Sequence, residues 1–385
     1  MNRYNLLISL LDSHNEASIL ATAKYIPQKV LFIYENKSGK EDQVNKLRDY
    51  YQKRFNNIEF LSVGINELED DVIEDVLKGC NKENTIVNLS GGNKINTLFL
   101  FSISQKYNLK NIYLDVEKEY LITIENLKIT IEKDSFVDLN IEDVIENIGG
   151  SIILESTESS NYKTIEKLTD LIANNQKIWQ KVKYRIYDNL VIEHDDSNPV
   201  MINLNFKPLD DFEKKVFNKV LDLLKKYNEI EYKDIEKNCI RIRFLNSEIK
   251  SFIFKTGTWL EIFTKKIVEE IDSIDDVKNG VVFFWNDDKR KIKNELDVVA
   301  IKDSVLICIS CKDSEKYDEV ALNELNVYAE QLGGEKVIKV LVTTKPPIKS
   351  SVFQRAEEMS INLIIYEGNR EDFQNKIKDA IYKMQ

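Results

Sequence analysis

The chain has little of what membrane-spanning, secreted or zinc-dependent proteins need. Among its 385 residues no apolar run approaches the ~20 required to cross a bilayer. The start, MNRYNLLISLLDSHNE, meets Asp12 and His14 too early for a secretory leader. Cysteine and histidine are scarce, with four and two respectively. Cys80, Cys239, Cys308 and Cys311 suit reduced thiols, and with no membrane segment they point to a cytoplasmic protein. Cys308-x-x-Cys311 has a spacing used by zinc and redox sites, but it lies in a strand-like run where i and i+3 face opposite sides. No second cysteine pair completes a zinc set, and His14 and His194 are the only histidines. There is no GxGxxG, and SGGNK at 90–94 lacks the spacing and hydroxyl of a P-loop. Internal repeats and low-complexity segments are absent as well. What is present is 43% hydrophobic content in strong strand-like runs, enough for two or three domains at ~100–200 residues each.

Residues 1–150 alternate strand and helix patterns. Strand runs at 5–10, 29–34, 58–63, 85–89 and 111–115 are separated by helical segments at 17–25, 41–55, 70–78 and 95–107. Short connections between them predict an α/β fold, a Rossmann-like doubly wound parallel sheet. Ligands bind beyond the carboxyl ends of such strands, where two unusual loops fall, 9–16 and 90–94. The glycines of Ser90-Gly91-Gly92 let backbone amides approach a ligand at a helix amino terminus, which favours phosphate. Lys94 adds a positive charge.

Residues 294–313, NELDVVAIKDSVLICISCKD, read as two Val- and Ile-rich strands, 295–301 and 305–312, joined by Asp303-Ser304. With that loop Lys302 pairs with Val305 and Asp297 stands opposite Ser310. Alternation then places Asp297, Ser310 and Lys312 on one face. An acid beside a lysine on an apolar hairpin costs free energy unless the pair is used or solvated, which marks a candidate site. A helix at 258–271 and a strand at 281–285 precede it. A helix at 317–332 ended by Gly333-Gly334, a strand at 336–343, a helix at 351–360 and a strand at 361–366 follow. After Trp285, Lys289, Arg290, Lys291 and Lys293 cluster in a chain of net charge −11. That suits a phosphate backbone and equally a solvated tip.

The hairpin and the order of elements around it resemble the PD-(D/E)XK nuclease family. There an Asp on one strand and an acid-x-Lys on the next bind a divalent metal and orient a hydrolytic water. The resemblance covers 246–385 and implies a restriction-endonuclease-like α/β domain. It implies a catalytic set of Asp297, Ser310 and Lys312, joined by Glu261 from the preceding helix and Glu324 from the following one. Asp297, Glu261 and Glu324 would hold Mn²⁺ or Mg²⁺. Ser310 departs from the family's acid, and a hydroxyl replaces a carboxylate poorly at a hard-cation site. Some members with Ser-x-Lys carry the missing acid on the following helix, where Glu324 stands. Ordinary roles compete: Thr258-x-x-Glu261 is also a capping-box pattern, and Glu324 is also a solvated helix residue.

The two amino-terminal loops resemble those of the CARF domain, the CRISPR-associated Rossmann-like sensor. The matching positions are Ser9, Asp12, Ser13, His14 and Asn15 in the first loop, and Ser90, Gly91, Gly92, Asn93 and Lys94 in the second. Turn chemistry alone also accounts for such residues. The resemblance implies a cyclic oligoadenylate, with cyclic tetraadenylate suiting the family, bound across a homodimer interface. The whole chain then looks like a cyclic-oligoadenylate-activated, metal-dependent nuclease of type III CRISPR defence. It would cleave phosphodiesters in DNA and/or RNA, single strands favoured. The alternative is a non-catalytic, ligand-responsive nucleic-acid-binding regulator with a degraded nuclease fold. A third activity, degradation of the cyclic ligand through Ser13 or His14, is possible alongside the nuclease reading.

Residues 151–245 are the least legible. A strand at 151–161 ends in a polar joint, 164–180 reads as one amphipathic helix, and 211–227 is a second. Ile230, Tyr232, Ile235 and Ile240 follow. The pattern fits a winged-helix-like connector or an extension of the nuclease sheet.

Overall fold

The structure, a computed structural model, describes residues 4–66, 70–284 and 293–382. The amino-terminal part contains β1 (Leu6–Leu10), α1 (Glu16–Tyr25), β2 (Lys29–Glu35), α2 (Lys40–Arg54), β3 (Glu59–Ile65), α3 (Asp70–Lys78), β4 (Thr85–Asn88) and α4 (Lys94–Lys106). It ends with β5 (Lys110–Asp115), β6 (Tyr120–Glu125), β7 (Lys128–Lys133) and α5 (Ile141–Asn147). The sheet order is β3-β2-β1-β4-β5-β6-β7. The first five strands are parallel. The hairpin β6–β7 is antiparallel and was not legible in the sequence, since every residue of β7 is exposed and carries no burial pattern. Ile19, Leu20, Val44 and Leu47 pack α1 and α2 on one face. Ile73, Leu77, Leu100 and Ile103 pack α3 and α4 on the other, so the sheet is doubly wound. Each such aliphatic side chain contributes roughly 1.5–3 kcal/mol when fully buried.

The next segment divides. β8 (Ser151–Leu154) leaves for the carboxyl-terminal sheet, while α6 (Thr157–Ser160), α7 (Lys163–Asn174) and α8 (Gln176–Val182) follow. The predicted single helix 164–180 is two, because the backbone leaves helical geometry at Asn175 (φ −123°, ψ 29°). The Asn175 side-chain amide donates to the Leu171 carbonyl instead. β9 (Ile192–His194), β10 (Met201–Asn205), α9 (Asp211–Lys226), β11 (Ile230–Glu236) and β12 (Cys239–Phe244) complete the unit. Its four strands run antiparallel in the order β11-β12-β10-β9. Asp210 and Glu213 close a capping box on α9.

The carboxyl-terminal part holds α10 (Ser247–Phe254), α11 (Thr258–Glu269), β13 (Asp276–Phe284), β14 (Lys293–Lys302), β15 (Val305–Lys312), α12 (Glu319–Gly333), β16 (Ile338–Thr343), α13 (Ser351–Glu358), β17 (Ile361–Ile365) and α14 (Arg370–Tyr382). Its sheet order is β17-β16-β15-β14-β13-β8. α14 lies beyond the last element the sequence reading assigned. Trp285, Lys289, Arg290 and Lys291 fall outside the described residues. The two faces of this sheet have different neighbours. Val298, Ala300 and Ile307 join a core with Trp259 and with Leu168 and Trp179 of the middle segment. Val299, Ile301 and Cys308 join a core with Leu325 and with Tyr50 and Val144 of the amino-terminal part.

Candidate active site and ligand pocket

The hairpin has the register the two-residue turn requires, from Lys302↔Val305 to Val298↔Ile309. Asp303 and Ser304 both take positive φ (49° and 63°), as a tight primed turn demands. At its far end Asp297 Oδ2 accepts from Ser310 Oγ (3.0 Å) and from the Cys311 N–H (2.6 Å). Lys312 Nζ lies 3.8 Å from the same oxygen. Asp297, Ser310 and Lys312 are therefore together. The strand is not regular there. Leu296 packs into one core and Val298 into the other, although residues two apart on a plain strand share a face. The reversal faces Gly280 on β13, whose φ of +59° suits glycine.

Glu261 comes from the first turn of α11. The capping-box role is not taken: Gly257 precedes the helix and no side-chain cap hydrogen bond forms. The half-buried carboxyl is instead pushed up to about 8, by burial first and then by the charges of Asp297 and Glu295, with Lys312 opposing. Asp297 and Glu295 act on the Glu261 carboxyl, which keeps its proton chiefly because it is buried; carboxylate oxygens are the donors that a hard divalent cation takes. Glu295, missed in the sequence, borders with Glu261 a cleft of about 390 Å³ whose other walls include Ser156, Ser251 and Asn279.

Glu324 is not brought to this cluster. The buried stripe of α12 is Leu322, Leu325, Ala329 and Leu332, which leaves Glu324 exposed on the other side. Among the described residues the tightest acidic trio is Asp138, Asp275 and Asp303, at the turn end of the hairpin and away from Asp297. Asp313, directly after Lys312, was also missed. It is buried in a 3.2 Å ion pair with Lys183 and accepts from Trp259 Nε1 (2.9 Å), Thr344 Oγ1 (2.7 Å) and Gln180 Nε2. Burial holds the Lys183 amine below its usual range, against the pull of Asp313. This knot ties α8, α11 and the strand carrying Lys312.

The two amino-terminal loops lie side by side at the carboxyl ends of β1 and β4, which pair in parallel. Asp12 Oδ2 accepts the Gly92 N–H (2.9 Å) and so joins them. Gly92 has φ +86°, and a Cβ there would stand 2.6 Å from Leu10. Gly91 passes beside the Leu10 carbonyl and Asp12. Ser9 and Asn15 are buried and internal: Ser9 Oγ accepts from Asn88 Nδ2 (3.3 Å), and Asn15 braces the Asp12 main chain. Ser90 Oγ donates to Asn88 Oδ1 (2.6 Å) and accepts the Leu114 N–H. Asn93 caps α4 through the Asn96 N–H (2.9 Å) and reaches Glu35. Ser13 and Lys94 are exposed. His14 turns toward Gly334 at the end of α12, with its Nδ1 buried and unpartnered. A cavity of about 660 Å³ lies between Asp12, His14 and Ser90 on one side and Ser304, Gly334 and Lys336 on the other.

Comparison with known proteins agrees with both halves. Residues 15–144 match the family model of the Card1 CARF domain, and residues 249–384 match that of the Card1-like endonuclease domain. No curated sequence matches the chain. Among solved structures, Can2 from Sulfobacillus thermosulfidooxidans, determined in complex with cyclic tetra-adenylate, superposes with a TM-score of 0.72 at 17% identity, covering 98% of this chain and 99% of that one. Protein VC1899 from Vibrio cholerae gives 0.71 at 17% identity, covering 97% of both. A type III CRISPR defence DNA nuclease activated by cyclic oligoadenylate gives 0.56 at 13% identity, over 91% of this chain and 47% of that one. These likenesses carry the fold across the whole length, and the two family models cover its amino- and carboxyl-terminal parts. The chain therefore carries a Card1-type CARF domain at 15–144 and a Card1-like endonuclease domain at 249–384 in one polypeptide.

Proposed function

We propose that the protein is an endonuclease switched on by cyclic tetraadenylate in type III CRISPR defence. The supporting observation is the joining of Asp297, Ser310 and Lys312 at one end of a hairpin, with Glu261 beside them, inside a Card1-like endonuclease domain. Asp297 and Glu261 would hold the divalent ion, Mn²⁺ or Mg²⁺, through their carboxylate oxygens. When bound, the ion lowers the pKa of an attacking water and offsets charge on the phosphate. Lys312 supplies a fixed positive charge for the oxygen that becomes more negative as the P–O bond breaks. Ser310 is no substitute ligand; its hydroxyl and the Cys311 N–H fix which carboxylate oxygen of Asp297 stays free. That role supports the catalytic reading over a degraded, non-catalytic domain.

The cyclic ligand sits on the Asp12–Gly92 junction, with Ser13, Asn93 and Lys94 at its rim, and a second copy of the chain completes the pocket. The hairpin offers a direct mechanical path. Its turn end lines the cavity beside the CARF loops, and Ser304 Oγ accepts the Leu139 N–H (3.1 Å). Its other end carries the catalytic groups. Activation requires the ligand to bind the active arrangement more tightly than the resting one.

The test is cleavage of labelled single-stranded DNA, RNA and plasmid with Mn²⁺, with and without cyclic tetraadenylate. Ligand-dependent cutting that falls by about 10²-fold or more in Asp297→Ala is the expected result. Undiminished cutting by that variant overturns the assignment.

A further inference from the structure

Asn279 lies in the middle of β13 with 1% of its surface exposed, and neither its Oδ1 nor its Nδ2 has a hydrogen-bond partner. A buried carboxamide unpaired at both ends is costly, and asparagine is a poor strand residue. The fold does not need this side chain for the main chain's sake. The Asn279 N–H donates to Thr157 Oγ1 (3.3 Å), and its carbonyl accepts from the Ser156 N–H (2.9 Å). On the same side of the pleat, Val277 and Val298 pack toward the core containing α11. The carboxamide therefore points to the side where the 390 Å³ cleft runs between α6, α10, α11 and β13. Glu261 and Glu295 stand in the wall of that cleft, which places it beside the catalytic cluster.

We propose that this cleft is a base-recognition subsite, in which Asn279 reads the edge of the unpaired nucleobase next to the scissile phosphate. The proposal rests on the nuclease reading above and names its substrate as an unpaired strand. A carboxamide presents a donor beside an acceptor, the complement of a nucleobase edge, whereas a phosphate offers acceptors only. The acids Glu248 and Glu295 outnumber the one cation in the wall, Lys255, so the cleft repels a phosphate and accepts a neutral base. The volume lies in the ~300–1,000 Å³ range of small-molecule pockets. A base enters such a cleft only when out of the duplex stack, as in single strands and splayed loops.

The experiment cleaves randomised single-stranded DNA and RNA with Mn²⁺ and cyclic tetraadenylate, and sequences the cut ends. It uses the full-length protein, Asn279→Val and Ser251→Trp; Ser251 is exposed at the cleft, so its bulky replacement blocks entry without touching the core. The expected result is a base preference at one position beside the cut in the wild type, lost in both variants. On the preferred sequence kcat/KM falls roughly 5- to 150-fold. The melting temperature of Asn279→Val is equal to or above that of the wild type, since an unpaired polar group has been removed. No base preference in the wild type, or the same preference in both variants, overturns the subsite. If the wild type cuts nothing, the nuclease reading fails by itself. Binding of the same oligonucleotides, followed by fluorescence anisotropy, then decides the subsite: weaker binding by both variants sustains it, and equal binding overturns it.

Discussion

Ser310 stands where the PD-(D/E)XK pattern has an acid, and its hydroxyl meets the carboxylate of Asp297. It donates to Asp297 Oδ2 alongside the Cys311 N–H, so it positions the acid. Ser310→Ala should lower metal affinity and cleavage about 10- to 100-fold, the usual effect of losing a group that orients a ligand. Cleavage titrated with Mn²⁺ will show whether added metal recovers the rate. Glu261 yields a pH prediction. Its native carboxyl is raised from the ordinary 4.5 to about 8. The folded metal-free protein therefore keeps a proton that the unfolded chain releases, and stability falls as pH rises between those values. Denaturant unfolding without metal should show this loss in the wild type and a smaller one in Glu261→Gln. Divalent metal above about pH 8 should restore the wild type.

At the scale of elements, a loop and a strand depend on glycine for different reasons. Gly92 combines φ +86° with a Cβ position 2.6 Å from Leu10, whereas Gly39 has φ +83° and open space around it. Gly92→Ala should cost more stability than Gly39→Ala, about 1–3 kcal/mol for the backbone conformation alone plus displacement of Leu10. Only Gly92→Ala should also weaken ligand binding, because it separates Asp12 from the Gly92 N–H. Melting curves and ligand titration of the two variants check both statements. Gly280 acts within a strand: its left-handed conformation lies where the pleat of β14 turns over at Asp297.

The whole molecule is tied together around the endonuclease sheet, with the middle segment on one face and the CARF domain on the other. The buried Lys183–Asp313 pair fastens the middle segment to the end of β15. Removing only the lysine leaves a buried, uncompensated carboxylate, so Lys183→Met should cost about 3–5 kcal/mol, readable by denaturant unfolding. The hairpin spans the distance from the cavity beside the CARF loops to the Asp297–Ser310–Lys312 cluster. Features that repeat over a few residues could be read without the fold. Strand alternation and a two-residue turn are local, so they set the register that brings Asp297, Ser310 and Lys312 to one end of the hairpin. The parallel αβ order likewise places both CARF loops at the carboxyl ends of the strands. Other features depend on partners distant in the chain, and only the tertiary structure decided them. Glu261 had two local roles, and burial beside Asp297 and Glu295 selected one. Glu324 was placed by the packing of α12, which turned it outward. β8 took its partner from a strand more than a hundred residues away. His14, Asn279 and Asp313 carry no periodic signal, because their surroundings come from segments that meet only when the cores close.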